Sequence, residues 1–257
     1  MNAKELLKAA AQKASGRIAY SVGPAGAGER LCKEAGARFR AASLIKLPIL
    51  YAYLFAVSDG EFDPAREIEV MPEAVVGGTG LILSMRPGTS LTLSDLALLM
   101  IAESDNIATN ILIDLLGMER INAQIAALDM TGTILQRKMQ DFARAAEGFE
   151  NYTTADNIAA FLNRTVAGVL AREPIWIRVY EHLAAQNLNL KLPFRLPAGV
   201  SCAHKTGDLP RLEHDAGILA KGDRMVVAVA LADDLEDNAA GVAFCREVGV
   251  AAAMMLD

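Results

Sequence analysis

Strand-like segments occur only toward the two ends of this 257-residue chain, with helical patterns filling the space between. RIAYSVG (17–23) alternates apolar and polar residues, GPAGAGE turns the chain, and RLCKEAG (30–36) is placed to pair back as a hairpin. The next strand-like runs, 203–207, 214–220 and 225–231, lie near the other end, punctuated at 208–210 and 221–223. Such a distribution predicts an α+β fold: an antiparallel sheet built from both chain ends, flanked on one face by the terminal helices, with an all-helical lobe beside it. The expected organisation is one domain over 1–257, residues 1–40 and 200–257 forming the α/β lobe and 41–199 the helical lobe. No repeat or Pro/Ser linker divides the sequence.

Within the helical lobe, Ser43 to Ser58 is apolar on every side, as expected of a buried central helix. Further helices are predicted over 92–103, 106–116, 118–128, 154–171 and 173–187, and a last one over 236–255. Periodicity is lost over 129–152, a length at which an irregular segment in a compact domain is usually functional or disordered.

Composition narrows the partners. With 25 Lys+Arg against 31 Asp+Glu, the net charge of −6 argues against a phosphate-tracking surface, so no nucleic acid is expected. The longest uncharged apolar run, Leu47 to Val57, is too short to span a bilayer, so no membrane partner is expected. Lys4, Glu5, Lys8 and Lys13 make the first segment an amphipathic helix instead of an export signal, which implies a cytoplasmic protein unless a signal has been removed. The scattered Cys32, Cys202 and Cys245 imply no disulfide framework.

Three short motifs carry the chemistry. Ser43-Leu-Ile-Lys46 puts a hydroxyl and an amine at i and i+3 on the first turn of a helix, where unpaired N–H groups face a developing oxyanion and a buried lysine can serve as base. Alone it means little, since one Ser-x-x-Lys is expected by chance in roughly 250 residues. Ser104-Asp105-Asn106 falls between two helices, with Ser and Asn free to face a cleft while Asp caps or braces the turn. Lys205-Thr206-Gly207 lies in a strand, where Lys and Gly share one face and the missing glycine side chain allows close approach to the backbone. All three in this order and spacing should coincide in fewer than roughly one chain in a thousand.

At these residues the chain resembles the penicillin-recognising serine hydrolases, class A β-lactamases most closely. The likeness extends through Phe39 to Pro48, Thr79-Gly80, Pro87-Gly88, Leu91-Thr92 and Leu99 to Asn110. It implies Ser43 as acylated nucleophile, Lys46 as proton acceptor, Ser104 as proton relay to the leaving nitrogen, Asn106 as ligand of the substrate amide, and Lys205 with Thr206 as holders of its carboxylate. The N–H groups of Ser43 and Asp208 would form the oxyanion hole beside Gly207, at about 3–4 kcal/mol per donor.

Two departures stand out. The family's loop glutamate, which activates the deacylating water, falls on Met139 of Arg137-Lys138-Met139-Gln140-Asp141. Asp141 is the nearest carboxylate and the candidate replacement base, the structural alternative being a pair with Arg137 at i, i+4 or with another loop cation. Asp208 puts a negative charge beside the expected carboxylate site, with Arg211 the candidate to offset it.

His182, His204 and His214 lack metal-site spacing, no Gly-x-Ser-x-Gly elbow exists, and the turn at Gly23 to Gly28 lacks a P-loop ending. No metal or cofactor is expected. The expected partner is a small β-lactam, amide or ester, and oligomeric state is not readable. The leading expectation is acyl transfer at Ser43 with slow deacylation; the alternatives are a cytoplasmic esterase or peptidase on another substrate, and a non-catalytic sensor of the same fold.

Overall fold

A computed structural model describes residues 1–86 and 88–256; Pro87, part of the family likeness, and Asp257 lie outside the described residues. Helix α1 (Ala3–Lys13) starts in a reciprocal cap in which Asn2 and Glu5 each accept the other's backbone N–H. Strand β1 (Arg17–Pro24) has six consecutive buried residues, as an inner strand covered on both faces must, and β2 (Leu31–Lys33) lies at the sheet's edge. The other three strands come from the far end of the sequence: β7 (Ser201–Leu209), β8 (Leu212–Lys221) and β9 (Arg224–Asp233). They complete an antiparallel sheet in the order β2-β1-β9-β8-β7, joining the two chain ends through the β1–β9 pair.

The sheet separates two apolar layers. On one face α1 and α9 (Asn238–Ala253) bury Leu7, Phe244 and Val248 against Val226, Ala228 and Ala230 of β9. On the other, Val227, Val229 and Leu231 point into the larger core. The alternation along β9 is the period of two that a pleated strand imposes. Asn238–Leu256 is a helical stretch long and apolar enough to cross a membrane, and half of it is buried inside this fold.

Between β2 and β7 run the remaining elements: β3 (Phe39–Arg40), α2 (Lys46–Ser58), β4 (Glu67–Glu69), β5 (Ser90–Thr92), α3 (Leu93–Ala102), α4 (Asn106–Leu116), α5 (Met118–Ala127), α6 (Phe142–Ala146), β6 (Tyr152–Thr153), α7 (Ala155–Leu170) and α8 (Pro174–Ala184). As its composition requires, α2 is buried along its length, packed against α3, α4, α5 and α8. Trp176 of α8 stacks on Tyr51 of α2 at 4.8 Å and meets Phe161 of α7 edge-on. A Cβ on Gly168 would come within 2.3 Å of that indole, so the α7–α8 contact needs glycine there.

Three local expectations are corrected. The helix predicted from Ser43 begins as a 3-10 turn, Ala42–Ile45, and becomes α-helical at Lys46. The turn expected at 208–210 lies at Pro210 and Arg211, because proline suits the first turning position, and Asp208 is thereby drawn into the strand opposite Glu213. Segment 129–152 is ordered by a helix, a short strand and the Ile134–Tyr152 bridge.

Candidate active site

The α2 N-terminus lies beside the edge strand β7 and the α3–α4 break, so the three motifs meet. Ser43 sits in the 3-10 turn, preceded by Ala42 at φ +44°, a left-handed conformation that a non-glycine residue adopts only under constraint. One turn later Lys46 is fully buried. Its amine reaches the Ser104 carbonyl at 2.7 Å, the Asn106 Oδ1 at 3.0 Å and the Ser104 Oγ at 3.2 Å. Burial, then the nearby Lys205 charge, push its pKa well below the ordinary lysine range. A neutral amine fits this cage: two N–H groups serve the two carbonyl oxygens and the lone pair remains for a hydroxyl proton.

Ser104 is also left-handed, at φ +53°, which turns its carbonyl to accept from both Lys46 and the Thr79 hydroxyl. Asp105 braces the turn, capping α4 through the Ala108 N–H and accepting from the Ile82 N–H. The loop before it fits tightly: a Cβ on Gly80 would lie 2.2 Å from the Asp105 carboxylate, and one on Gly78 would lie 2.4 Å from the Asn106 amide.

On β7, Lys205 is fully buried and donates to the Thr206 carbonyl at 2.9 Å. Burial lowers its pKa to about 7, against the pull of Asp208 and Asp215. The Thr206 hydroxyl is buried with no protein partner, an unsatisfied polar atom one residue from Gly207. A Cβ on Gly207 would lie 3.3 Å from the Ala42 Cβ and 3.4 Å from the Ser43 nitrogen, so β7 passes close to the Ser43 N–H. The resulting cavity, about 300 Å³, is lined by Ser43, Thr79, Asn106, Met139, Gln140 and Asp208 among others.

Asp208 is offset by Lys191 and not by the expected Arg211, whose guanidinium bonds the Leu235 carbonyl. The Lys191 amine is 2.7 Å from Asp208 and 2.5 Å from Glu213, and it also donates to the carbonyls of Gly207 and His214. Burial disfavours the Asp208 carboxylate, but Lys191 outweighs it and holds the pKa below the usual aspartate value.

Asp141 is not brought to this site. It caps α6, accepting from the Arg144 N–H at 3.1 Å, and opens onto a separate cavity with Glu73, Asp114 and Lys138. Met139 and Gln140 form part of the wall of both cavities. The expected Arg137–Asp141 pair is also absent, because the i, i+4 rule needs a helix and Asp141 only begins one. Arg137 instead forks onto Glu150 with two 3.0 Å bonds, and the Asn151 side chain ties the Gln136 and Arg137 N–H groups at 2.7 and 3.1 Å. Those bonds close the neck of the loop that carries Met139. Replacing Glu150 with Gln should cost about 1.5 kcal/mol, the low end for hydrogen bonds to a charged group, since the pair is only part-buried, readable as a lower urea midpoint.

The histidines take structural places. His204 bonds Asp215 at 2.9 Å and Asn189 at 3.0 Å; His214 donates to the Arg40 carbonyl and accepts from the Ala232 N–H; His182 bonds the Arg178 carbonyl. Among the described residues no three His, Cys, Asp or Glu side chains group to hold a metal. Lys191, Gln140 and Glu150 are the site residues that sequence reading missed. Lys191 reaches its acids across 17 and 22 residues, a pairing without local periodicity.

The fold recurs in known proteins. The chain is 29% identical to the β-lactamase from Sphaerobacter thermophilus over 98% of this chain and 95% of that one, with a TM-score of 0.89. It is 25% identical to PBP-A, at a TM-score of 0.84 over 98% of this chain and 94% of that one. A curated relative, the β-lactamase regulatory protein BlaB of Streptomyces cacaoi, is 25% identical over 79% of this chain and 80% of its own length. With the sheet, the helical lobe and the three converging motifs in place, and with the sequence model of the Beta-lactamase enzyme family matching residues 2–255, this chain belongs to that family.

Proposed function

We propose that this β-lactamase-family chain forms an acyl-enzyme on Ser43 with a β-lactam or a related amide or ester, and releases the product slowly. The observation that carries the proposal is the Lys46 amine, buried and caged by Ser104 and Asn106. In this reading Lys46 takes the Ser43 proton as Oγ attacks the substrate carbonyl. The oxyanion is stabilised by the N–H groups of Ser43 and Asp208, and the proton passes through Ser104 to the leaving nitrogen. A substrate carboxylate would take the free Thr206 hydroxyl and the Lys205 ammonium. Met139 supplies no base for water, so the ester outlives its formation.

A fluorescent penicillin followed by intact-protein mass spectrometry tests the proposal. A single adduct is expected on the native chain and none on Ser43→Ala; an unlabelled native chain overturns acylation, and rapid turnover overturns slow release. A second reading, a sensor that keeps the adduct as its signal, is supported by Met139 and by the regulatory name of the Streptomyces relative. Stoichiometric labelling with no product release would favour it.

A further inference from the structure

A second cavity, of about 180 Å³, lies at the far end of α2, between that helix and α8, with Pro64 on its rim. It is lined by apolar surface from Leu54, Val57 and Ile175, and by Tyr53 and Arg178. Tyr53 is 2% exposed, and its hydroxyl is buried with no protein partner. A buried, unpaired hydroxyl on a residue that lines a cavity is uncommon in native folds, and a small yielding of the wall would let a ligand atom complete its hydrogen bond. Burial raises the tyrosine pKa to about 12, so the group is an O–H donor and calls for an acceptor. Arg178 supplies the second requirement: it lies within electrostatic reach of Tyr53 and acts on it more strongly than the Asp63 carboxylate does, and its contact with Glu181 is long, 3.4 Å, and solvent-exposed. Such surface pairs exchange readily for a better-placed anion.

We propose that this cavity binds a small monocyclic or branched carboxylic acid, its ring or branch among Leu54, Val57 and Ile175 and its carboxylate between the Tyr53 hydroxyl and the Arg178 guanidinium. The volume sets the size. It is close to that of cavities known to hold one benzene ring and smaller than most drug-sized pockets. The site is distinct from the Ser43 cleft, since Tyr53 is seven residues beyond Lys46, about 10 Å along the helix axis. It does not depend on acylation, so the Ser43→Ala variant should bind the same acid equally.

Benzoate is the probe, titrated into the full chain and followed by heteronuclear NMR. Saturable shifts centred on Tyr53, Leu54, Val57 and Ile175 are expected, with a millimolar Kd suited to so few heavy atoms. Arg178→Gln and Tyr53→Phe should each weaken binding about tenfold, and benzyl alcohol, which keeps the ring without the charge, should bind about tenfold more weakly than benzoate. Arg178 is exposed, so its variant reports even where a change at the buried Tyr53 disturbs folding. Shifts confined to the Ser43 cleft, equal binding of benzyl alcohol, or an Arg178→Gln affinity matching the native chain would each overturn the proposal.

Discussion

Met139→Glu is expected to turn a long-lived acyl-enzyme into a turning-over one, raising the deacylation rate by about 10²–10⁴-fold, the usual contribution of a positioned general base. The frame for that carboxylate already exists. The Met139 N–H donates to the Asn110 Oδ1 at 2.8 Å and its carbonyl accepts from the Asn110 amide at 3.1 Å, so the residue is fixed at both ends of its backbone. Its side chain is 8% exposed and shares the cavity wall with Ser43. The neck of the loop is held by Arg137, Glu150 and Asn151 through bonds that do not involve the Met139 side chain. Decay of the penicilloyl adduct, timed by mass spectrometry after removal of free drug, is the measurement. Met139→Gln matches the shape without the base and should leave the decay slow, as should Asp141→Asn, because Asp141 spends its carboxylate capping α6. Equal rates for Met139→Glu and Met139→Gln would show that something other than a missing base limits release.

What sequence reading captured and missed follows the range of the interactions involved. Ser43 with Lys46 was legible because helix periodicity puts i and i+3 on one face, and Ser104 with Asn106 because they flank a break between two helices. The sheet was legible because strand-like runs near both ends leave few ways to pair. Turn conformation was not: Ala42, Ser104 and Gln140 all have positive φ, and nothing in those residue types announces it. Nor was charge compensation, since Lys191 reaches Asp208 only because β7 folds back beside the segment after α8. Asp141 misled for the opposite reason. A local cap is worth about 1 kcal/mol and is satisfied one turn away, so the aspartate nearest to the missing glutamate in sequence is engaged elsewhere.

In the proposed acylation the two buried lysines hold opposite protonation states, and this sets the expected pH dependence. In that reading Lys46 serves as a neutral amine, a form that burial together with the Lys205 charge favours. Lys205 must be charged to hold a substrate carboxylate, and with a pKa of about 7 it is protonated below that pH and neutral above it. The second-order acylation rate constant for a carboxylate-bearing penicillin should therefore decline as pH rises through about 7, since that constant reports the free enzyme's ionisations. Lys205→Arg keeps a cation whose pKa lies far above the range, so the decline should vanish whatever the absolute rate. A penicillin methyl ester, lacking the carboxylate, should react more slowly at pH 6 and show no such decline in the native chain. Lys46→Ala should lower acylation of both compounds by about 10²–10⁴-fold at every pH, because the base is lost and not the anion site. Stopped-flow labelling from pH 5.5 to 9 separates these arms. A native profile that rises across pH 7, or a decline that persists in Lys205→Arg, would remove Lys205 as the carboxylate's partner and leave the Thr206 hydroxyl as its anchor.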